Sequence, residues 1–531
     1  MSENKNPDPD EIRPELAELI ERHRVTRDEA RPEAVEKRHS RNQRTIRENI
    51  ADLLDPVGAI EYGPLALAAQ RQRIPMDILM KKSPADGLIA ETGTVNGSLF
   101  EPSKTRCMVI GYDYTVLAGT QGWFNHKKKD RMLQLAYKWR IPVVLFAEGG
   151  GGRPGDVDMS EIIVAGLEFM SFTHFARLSG LVPVVGIVSG NCFAGNAALL
   201  GCCDVIIASK NSNIGMAGPA MIEGGGLGVF KPEEVGPISV QSANGVVDII
   251  AEDDADAVAR ARQYLSYFQG DLENWDCRDQ KLLRQCMPEN RRRAYDVRKI
   301  IETMADLDSV LELRKDFGKG IITALVRVEG KPFGLMANNT LHLAGAIDSN
   351  SADKASRFLQ LCDAFDLPVI SLIDTPGFMV GPEAEKTAQV RHFARIFLNA
   401  ANMDIPIFSI VLRRGYVLGA MAMAGGSFHN SDFTVSWPTG EFGGMGLEGA
   451  VRLGFKRELE TIEDPEKREA RFNELLSFLY ERGKAINMAV CLEIDGVIDP
   501  AETRHWIMCG LRSQPETPQR TTKKRPNIDG W

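Results

Sequence analysis

Short apolar runs, each closed by a turn residue and followed by a stretch of helical spacing, recur along most of this chain. Strands are expected at Ser98–Leu99, Arg106–Tyr112, Pro142–Phe146, Pro183–Val188 and Asp204–Ser209. A second series is expected at Gly320–Val328, Pro332–Met336, Pro368–Ile373, Pro406–Val411 and Phe433–Val435. Helical spacing covers Lys127–Trp139, Ala194–Leu200, Val258–Tyr267, Asp353–Phe365, Thr387–Ala401 and the residues from Gly419, with an exposed charged helix over Asp464–Gly483. This alternation predicts an α/β fold.

The pattern also repeats. P-V-V-L-F-A-E-G-G-G-G-R (Pro142–Arg153) and P-V-V-G-I-V-S-G-N-C-F-A-G-N-A (Pro183–Ala197) match P-V-I-S-L-I-D-T-P-G-F (Pro368–Phe378) and P-I-F-S-I-V-L-R-R-G-Y-V-L-G-A-M (Pro406–Met421). The offsets are 226 residues (368 − 142), 223 (406 − 183) and, for Gly195 and Gly419, 224 (419 − 195). Two copies predict a pseudo-dimer of like domains rather than a solenoid. We place these at residues 46–295 and 296–531, with 278–305 as the linker region and 1–45 as a charged tail. Helix is expected within 15–49, broken near Pro32 and solvated, and the residues from Ser513 are expected to be loose.

Composition narrows the function classes. A net charge of −9 argues against a general nucleic-acid or membrane-surface binder. No apolar run reaches the roughly 18 residues that suggest a membrane span. The N-terminus resembles neither a secretory signal nor a transit peptide. Nine cysteines without a C-x-x-C pair suit reduced thiols in the cytoplasm, and no metal site is expected.

Side-chain chemistry is sparse: there is no G-x-S-x-G or H-E-x-x-H, and the eight histidines lack ligand spacing. Backbone chemistry is not. A turn between strand and helix points free N–H groups outward with the helix dipole behind them, an arrangement that stabilises an oxyanion. Gly195 and Asn196 are the candidate donors in the first copy, and Gly419 and Ala420 in the second; the alternative is a turn that merely needs glycine. The Glu148–Arg153 run suits close approach of a ligand or an anion, which makes Gly150, Gly151, Arg153 and Ala194 candidate substrate contacts. Glu148, Glu223, Asp374 and Glu441 are either acid–base groups or carboxylates that brace the turns. The basic run from His126 to Lys129 either meets phosphates, with Lys129 as the candidate, or forms a solvated helix face. Arg413 and Arg414 lie beside the second turn.

These motifs resemble the carboxyltransferase (β) subunits of biotin-dependent acyl-CoA carboxylases, over about residues 41–512. The resemblance is carried by T-I-R-E-N-I-A-D-L-L-D-P-V-G-A-I-E, by the Glu148–Arg153 run and, most specifically, by A-G-A-I-D-S-N-S-A-D-K-A-S-R-F-L-Q-L-C-D-A-F-D-L-P-V-I-S-L-I-D-T-P-G-F. It implies two tandem crotonase-like β–β–α spiral domains, usually in a homo-hexameric core whose active sites combine the first domain of one subunit with the second of another. Acyl-CoA would lie on the first domain, its enolate held at Gly195-Asn196. Carboxybiotin would lie on the second, held at Gly419-Ala420 with Tyr416, Leu418, Gly377 and Phe378 around it; as it leaves, biotin can itself take the α-proton.

The chain departs from short-chain members of the family. Both turns look one residue longer, near Phe193 and Val417, Asn196 stands where glycine is common, and Met421 or Ala422 occupies the position that helps set acyl size. Neither a biotinylation site like A-M-K-M nor an ATP-grasp region is found, so a biotin carboxylase and biotin carrier on another chain are expected. Two further readings remain at this point: a biotin-dependent CoA-ester decarboxylase, and a catalytically silent core of a carboxylase complex.

Overall fold

The structure, a computed structural model, describes residues 10, 12–153, 155–156, 158, 166–515, 520 and 522–531. The first half contains β1 (Ile60–Glu61), β2 (Leu88–Thr94), β3 (Arg106–Tyr112), β4 (Val143–Phe146), β5 (Gly149–Gly150), β6 (Val184–Val188), β7 (Asn191–Phe193), β8 (Val205–Ser209), β9 (Asn213–Gly215) and β10 (Ile249–Ala251). The second contains β11 (Leu311–Leu313), β12 (Ile321–Val328), β13 (Lys331–Asn338), β14 (Val369–Thr375), β15 (Ile407–Tyr416), β16 (Phe433–Ser436), β17 (Glu441–Gly443) and β18 (Gly496–Val497). The short strand expected at Ser98–Leu99 is a turn instead.

The two main sheets have one topology. The first runs β1-β2-β3-β4-β6-β8-β10 and the second β11-β12-β13-β14-β15-β16-β18. In each, an antiparallel pair (β2 with β3, β12 with β13) leads into parallel strands. The parallel strands are mainly apolar because both faces are covered, and the charged residues of β14 and β15 (Asp374, Arg413, Arg414) gather at their C-terminal ends. A small second layer, β5-β7-β9, rises from the end of the first sheet. In the second half β15 is long enough to serve both layers, pairing Thr375 with Gly415 and Arg414 with Glu441.

The halves share one core. Val144, Val185 and Ile207 of the first sheet belong to the same buried cluster as Leu325, Met336 and Phe358 of the second half. Buried polar contacts also cross the boundary: Arg314 Nε donates to Asp248 Oδ1 at 2.9 Å, and Arg357 donates to the Asp204 carbonyl at 2.8 Å.

Three peripheral segments differ from expectation. Residues expected as a linker place Leu283, Val297, Ile300 and Met304 in the core of the second half. The C-terminal end is docked: Ile528 is buried, its N–H bonds Ser179 of the first half, and Asp529 is held by Gln360 and Arg395 of the second. The N-terminal segment forms the expected helices, Pro14–Arg24 and Pro32–His39, but its inner end is tied down by Arg31 on Asp113 (2.8 Å) and Arg38 on Glu148 (2.6 Å). Apolar periodicity is silent about the N-terminal segment, because ion pairs rather than a hydrophobic stripe hold its inner end.

Candidate active site

In each half a residue with left-handed φ stands where a strand of the small layer gives way to a helix. In the first half this is Ala194 (φ 52°, ψ −125°), before the helix Gly195–Leu200. In the second it is Val417 (φ 40°), the first residue of the helix Val417–Met423. A bulky residue rarely adopts such a φ unless its surroundings enforce it, and such strain clusters at functional sites. Four amides at the start of each helix have no partner within it.

Strand register fixes the equivalence. Val143 pairs with Val184 as Val369 pairs with Ile407, and Gly149 pairs with Cys192 as Thr375 pairs with Gly415. The first member of each pair is shifted by 226 residues (369 − 143) and the second by 223 (407 − 184). Gly195 therefore corresponds to Leu418 and Asn196 to Gly419. The sequence comparison that matched Gly195 with Gly419 is out by one, since it followed the glycines rather than the strained residues before the helices. Ala420 stands one residue deeper than expected and is fully buried.

A further repeat lies beneath each turn. Leu117-Ala118-Gly119 and Leu343-Ala344-Gly345, 226 residues apart (343 − 117), each run through three consecutive left-handed residues. A Cβ on Gly119 would collide with the Glu148 carbonyl, and one on Gly345 would lie 2.5 Å from the Asp374 carbonyl. The literal L-A-G repeat was the signal for it.

In the first half the glycine run packs directly on the helix start: a Cβ on Gly151 (φ 74°) would lie 2.6 Å from Ala194 Cβ. Gly150 is exposed at the end of β5. The Asn196 side chain is wholly buried, donating to the Gly119 and Glu148 carbonyls (3.1 and 3.0 Å) and accepting from Gln121 Nε2 (2.8 Å). It locks three loops together, which leaves only its backbone N–H for chemistry. Gln121, not foreseen from sequence, also faces Gly195, where a Cβ would meet its Nε2 at 3.1 Å.

Arg153 and Lys129 are not available to a substrate. The Arg153 guanidinium is buried against Asp86 (2.6 Å) and the Thr120 carbonyl (2.9 Å), closing the glycine loop from behind. Lys129 is fully buried, donating to Tyr112 Oη at 2.7 Å, and burial pushes its pKa down to about 7. His126 and Lys128 are buried too, so of that basic run only Lys127 is exposed. The register of the helix Trp123–Trp139 turns the cluster inward.

In the second half, Gly377 (φ 122°) offers open space where a side chain would stand, and a Cβ on Gly419 would lie 2.6 Å from Gly377 Cα. The two glycines thus make a flat backbone wall. Phe378 stacks on Phe393 with ring centroids 4.2 Å apart. Leu418 is half exposed. Tyr416 faces away: it is buried, its hydroxyl donates to Glu441 Oε1 at 2.6 Å, and burial raises its pKa. Ala422 is core, whereas Met421 lines a cavity of about 680 Å³ together with Val417, Phe428, Phe442, Met445 and Met488. Only Met421 of the two candidate specificity residues therefore faces open space.

The carboxylates act as braces. Asp374 accepts from Arg413 Nε (3.0 Å), Arg414 Nε (2.7 Å) and Tyr295 Oη (2.8 Å). Glu441 is held by Tyr416 and by Arg291 (3.2 Å). Glu148 is held by Arg38, yet burial still pushes its pKa up to about 7. Glu223 stands exposed on the helix Pro219–Gly224. Among the described residues no group of three or more His, Cys, Asp or Glu side chains is placed to hold a metal ion.

Two like domains, each with a small layer standing on a parallel sheet and a strained turn opening a helix, define a crotonase-like architecture. The chain belongs to the carboxyl transferase domain family, whose model matches residues 37–528. It is 30% identical to the methylmalonyl-CoA carboxyltransferase 12S subunit of Propionibacterium freudenreichii subsp. shermanii over 528 residues, 97% of each chain. A solved single-chain, multi-domain long-chain acyl-CoA carboxylase matches at TM-score 0.89 and 57% identity, over 94% of this chain and 49% of that one, so this chain spans about half of that protein. A transcarboxylase 12S hexamer with bound methylmalonyl-CoA matches at TM-score 0.81 and 28% identity, over 98% of this chain and 99% of that one.

Proposed function

We propose that this chain moves a carboxyl group between carboxybiotin, carried on a separate biotin carrier, and the α- or γ-carbon of an acyl-CoA. The observation that carries the reading is the pair of strained turns, each opening a helix onto a glycine wall. Such turns offer preorganised backbone N–H groups to a developing oxyanion.

In the first half Gly195 and Asn196 hold the thioester oxygen of the acyl-CoA enolate, with Gly150, Gly151 and Ala194 lining the approach. In the second half Leu418 and Gly419 hold the ureido oxygen of biotin against Gly377 and Phe378. The fit is of a flat ring to a backbone wall, where any Cβ on Gly419 would intrude. Bound carboxybiotin supplies the carboxyl group. No free carboxylate base is needed in the chain, which agrees with Glu148, Asp374 and Glu441 all being engaged.

The acyl group we favour is a long one. The relative of 57% identity is a long-chain acyl-CoA carboxylase. The cavity beside Met421 is lined mainly by apolar residues, three methionines among them, with His429, Arg482 and Glu493 also on its wall, and its volume is within the ~300–1,000 Å³ range of ligand sites. The working form is a homo-hexamer in the cytoplasm, with each site completed by a second copy and served by a biotin carboxylase and biotin carrier. Among the described residues no helix is long and apolar enough to cross a membrane.

The test is a pull-down of the tagged protein from its own cells, probed with streptavidin, followed by ATP- and bicarbonate-dependent ¹⁴C fixation onto a panel of acyl-CoAs. A biotinylated partner and fixation favouring long chains are expected. A missing biotinylated partner would overturn the carrier assignment, and fixation onto propionyl-CoA alone would overturn the long chain.

A further inference from the structure

The acidic residue at the end of each first parallel strand, Glu148 or Asp374, is buried beside a turn and needs a positive partner. In the second half the partner is built into the neighbouring strand: Arg413 donates to Asp374 at 3.0 Å. The register that pairs Ala194 with Val417 puts Gly190 where Arg413 stands. Gly190 has φ 114°, and a Cβ there would collide with Glu148 Oε1. The first half has thus emptied the position from which the second half supplies its arginine.

Its arginine comes from elsewhere. Arg38, on the helix Pro32–His39, places Nη1 2.6 Å from Glu148 Oε1, and its Nε donates to the Arg44 carbonyl at 3.0 Å. Both side chains are buried. Gln43, next along the same segment, donates to the Ser189 carbonyl at 3.4 Å. The Glu148 backbone continues the linkage: its carbonyl accepts from Asn196 Nδ2, and Asn196 belongs to the strained turn.

We infer that Arg38 is a positioning residue for the first turn, acting through Glu148 and Asn196, and that the N-terminal segment, expected as a solvated tail, is part of the acyl-CoA half of the site. The inference rests on the assignment of acyl-CoA to the first half. Arg38 touches no reacting atom. It holds Glu148 so that the carbonyl of that residue keeps Asn196 and its backbone N–H in place.

The test uses the full chain with its biotin partner, comparing wild type with Arg38→Met, Arg38→Lys and the double variant Arg38→Met/Glu148→Gln. Removing one partner of a buried pair is destabilising, whereas removing both is far less so. The double variant therefore separates folding from positioning. Arg38→Met is expected to lower kcat for carboxyl transfer by tenfold or more and leave KM for free biotin within threefold. Arg38→Lys should recover part of that loss. The double variant should recover the melting temperature but not kcat. If kcat simply follows the melting temperature across the set, Arg38 is only structural and the inference is wrong. If KM for biotin moves instead, the assignment of halves is wrong. A wild-type protein that transfers no carboxyl group would overturn the proposed function, and this inference with it.

Discussion

In the second half, Asp374 is neutralised by Arg413 and Arg414, 39 and 40 residues along the chain on the adjacent strand. In the first, Glu148 is neutralised by Arg38, 110 residues upstream. The backbone plan is the same, down to the left-handed L-A-G segment beneath each acid, but the charges have been redistributed. The second turn draws both arginines from the adjacent strand, with Tyr295 added from upstream; the first has no arginine on that strand and takes one from a distant segment. Around them the linings diverge too: buried amide and carbonyl groups at Asn196 and Gln121, against a methionine-lined cavity at Met421. The shared backbone plan sets where the N–H groups point, and the side chains around each turn set what can approach them.

The largest effect should come from Gly419→Val. The new side chain would press on Gly377 Cα, backbone that cannot move aside. Carboxyl transfer should fall by about 10²–10³-fold, the scale of losing an oxyanion donor, with the Kd for acyl-CoA unchanged by calorimetry. Asp374→Asn comes next, because it strands two arginines in a buried site; denaturant unfolding should register a loss of about 3–5 kcal/mol. Gly195→Ala should be milder, no more than about tenfold in kcat or about 1.4 kcal/mol on the barrier, since the new Cβ would press on the Gln121 side chain at 3.1 Å rather than on backbone.

Two further effects are read in the dependence of stability on pH rather than in turnover. Glu148 has a folded pKa raised from 4.5 to about 7, so between those values the native state holds a proton that the unfolded chain has lost. Stability must then fall as pH rises through that window, and Glu148→Gln should flatten the trend. Lys129 has the opposite sign. Its folded pKa is lowered from 10.5 to about 7, so stability rises with pH between 7 and 10.5, and Lys129→Met should remove that rise without changing KM for acyl-CoA. A raised KM would restore Lys129 to the phosphate site.

How much of this was legible in the sequence divides along the same line. The parallel strands and their repeat were readable because buried strands carry mostly apolar runs, the glycines at 151 and 419 because close contact excludes a side chain, and Gly377 because its φ of 122° favours glycine. The one-residue offset was not, because Ala194 and Val417 adopt left-handed φ in residues whose identity does not announce it. Nor was the inward turn of Lys129, since the spacing of the helix Trp123–Trp139 gives a buried face without saying that lysines occupy it. Arg38 and the docked C-terminal residues were missed for a shared reason: isolated long-range contacts, an ion pair in one case and one buried isoleucine with its hydrogen bonds in the other, have no periodicity.

On this reading the two turns serve different substrates. This is tested most directly by measuring, in Gly195→Val and Gly419→Val, the KM for free biotin and for an acyl-CoA in the same transfer assay. A crossed result is expected: acyl-CoA KM raised with biotin KM unchanged in Gly195→Val, and the reverse in Gly419→Val. Loss of the same substrate in both variants would contradict it.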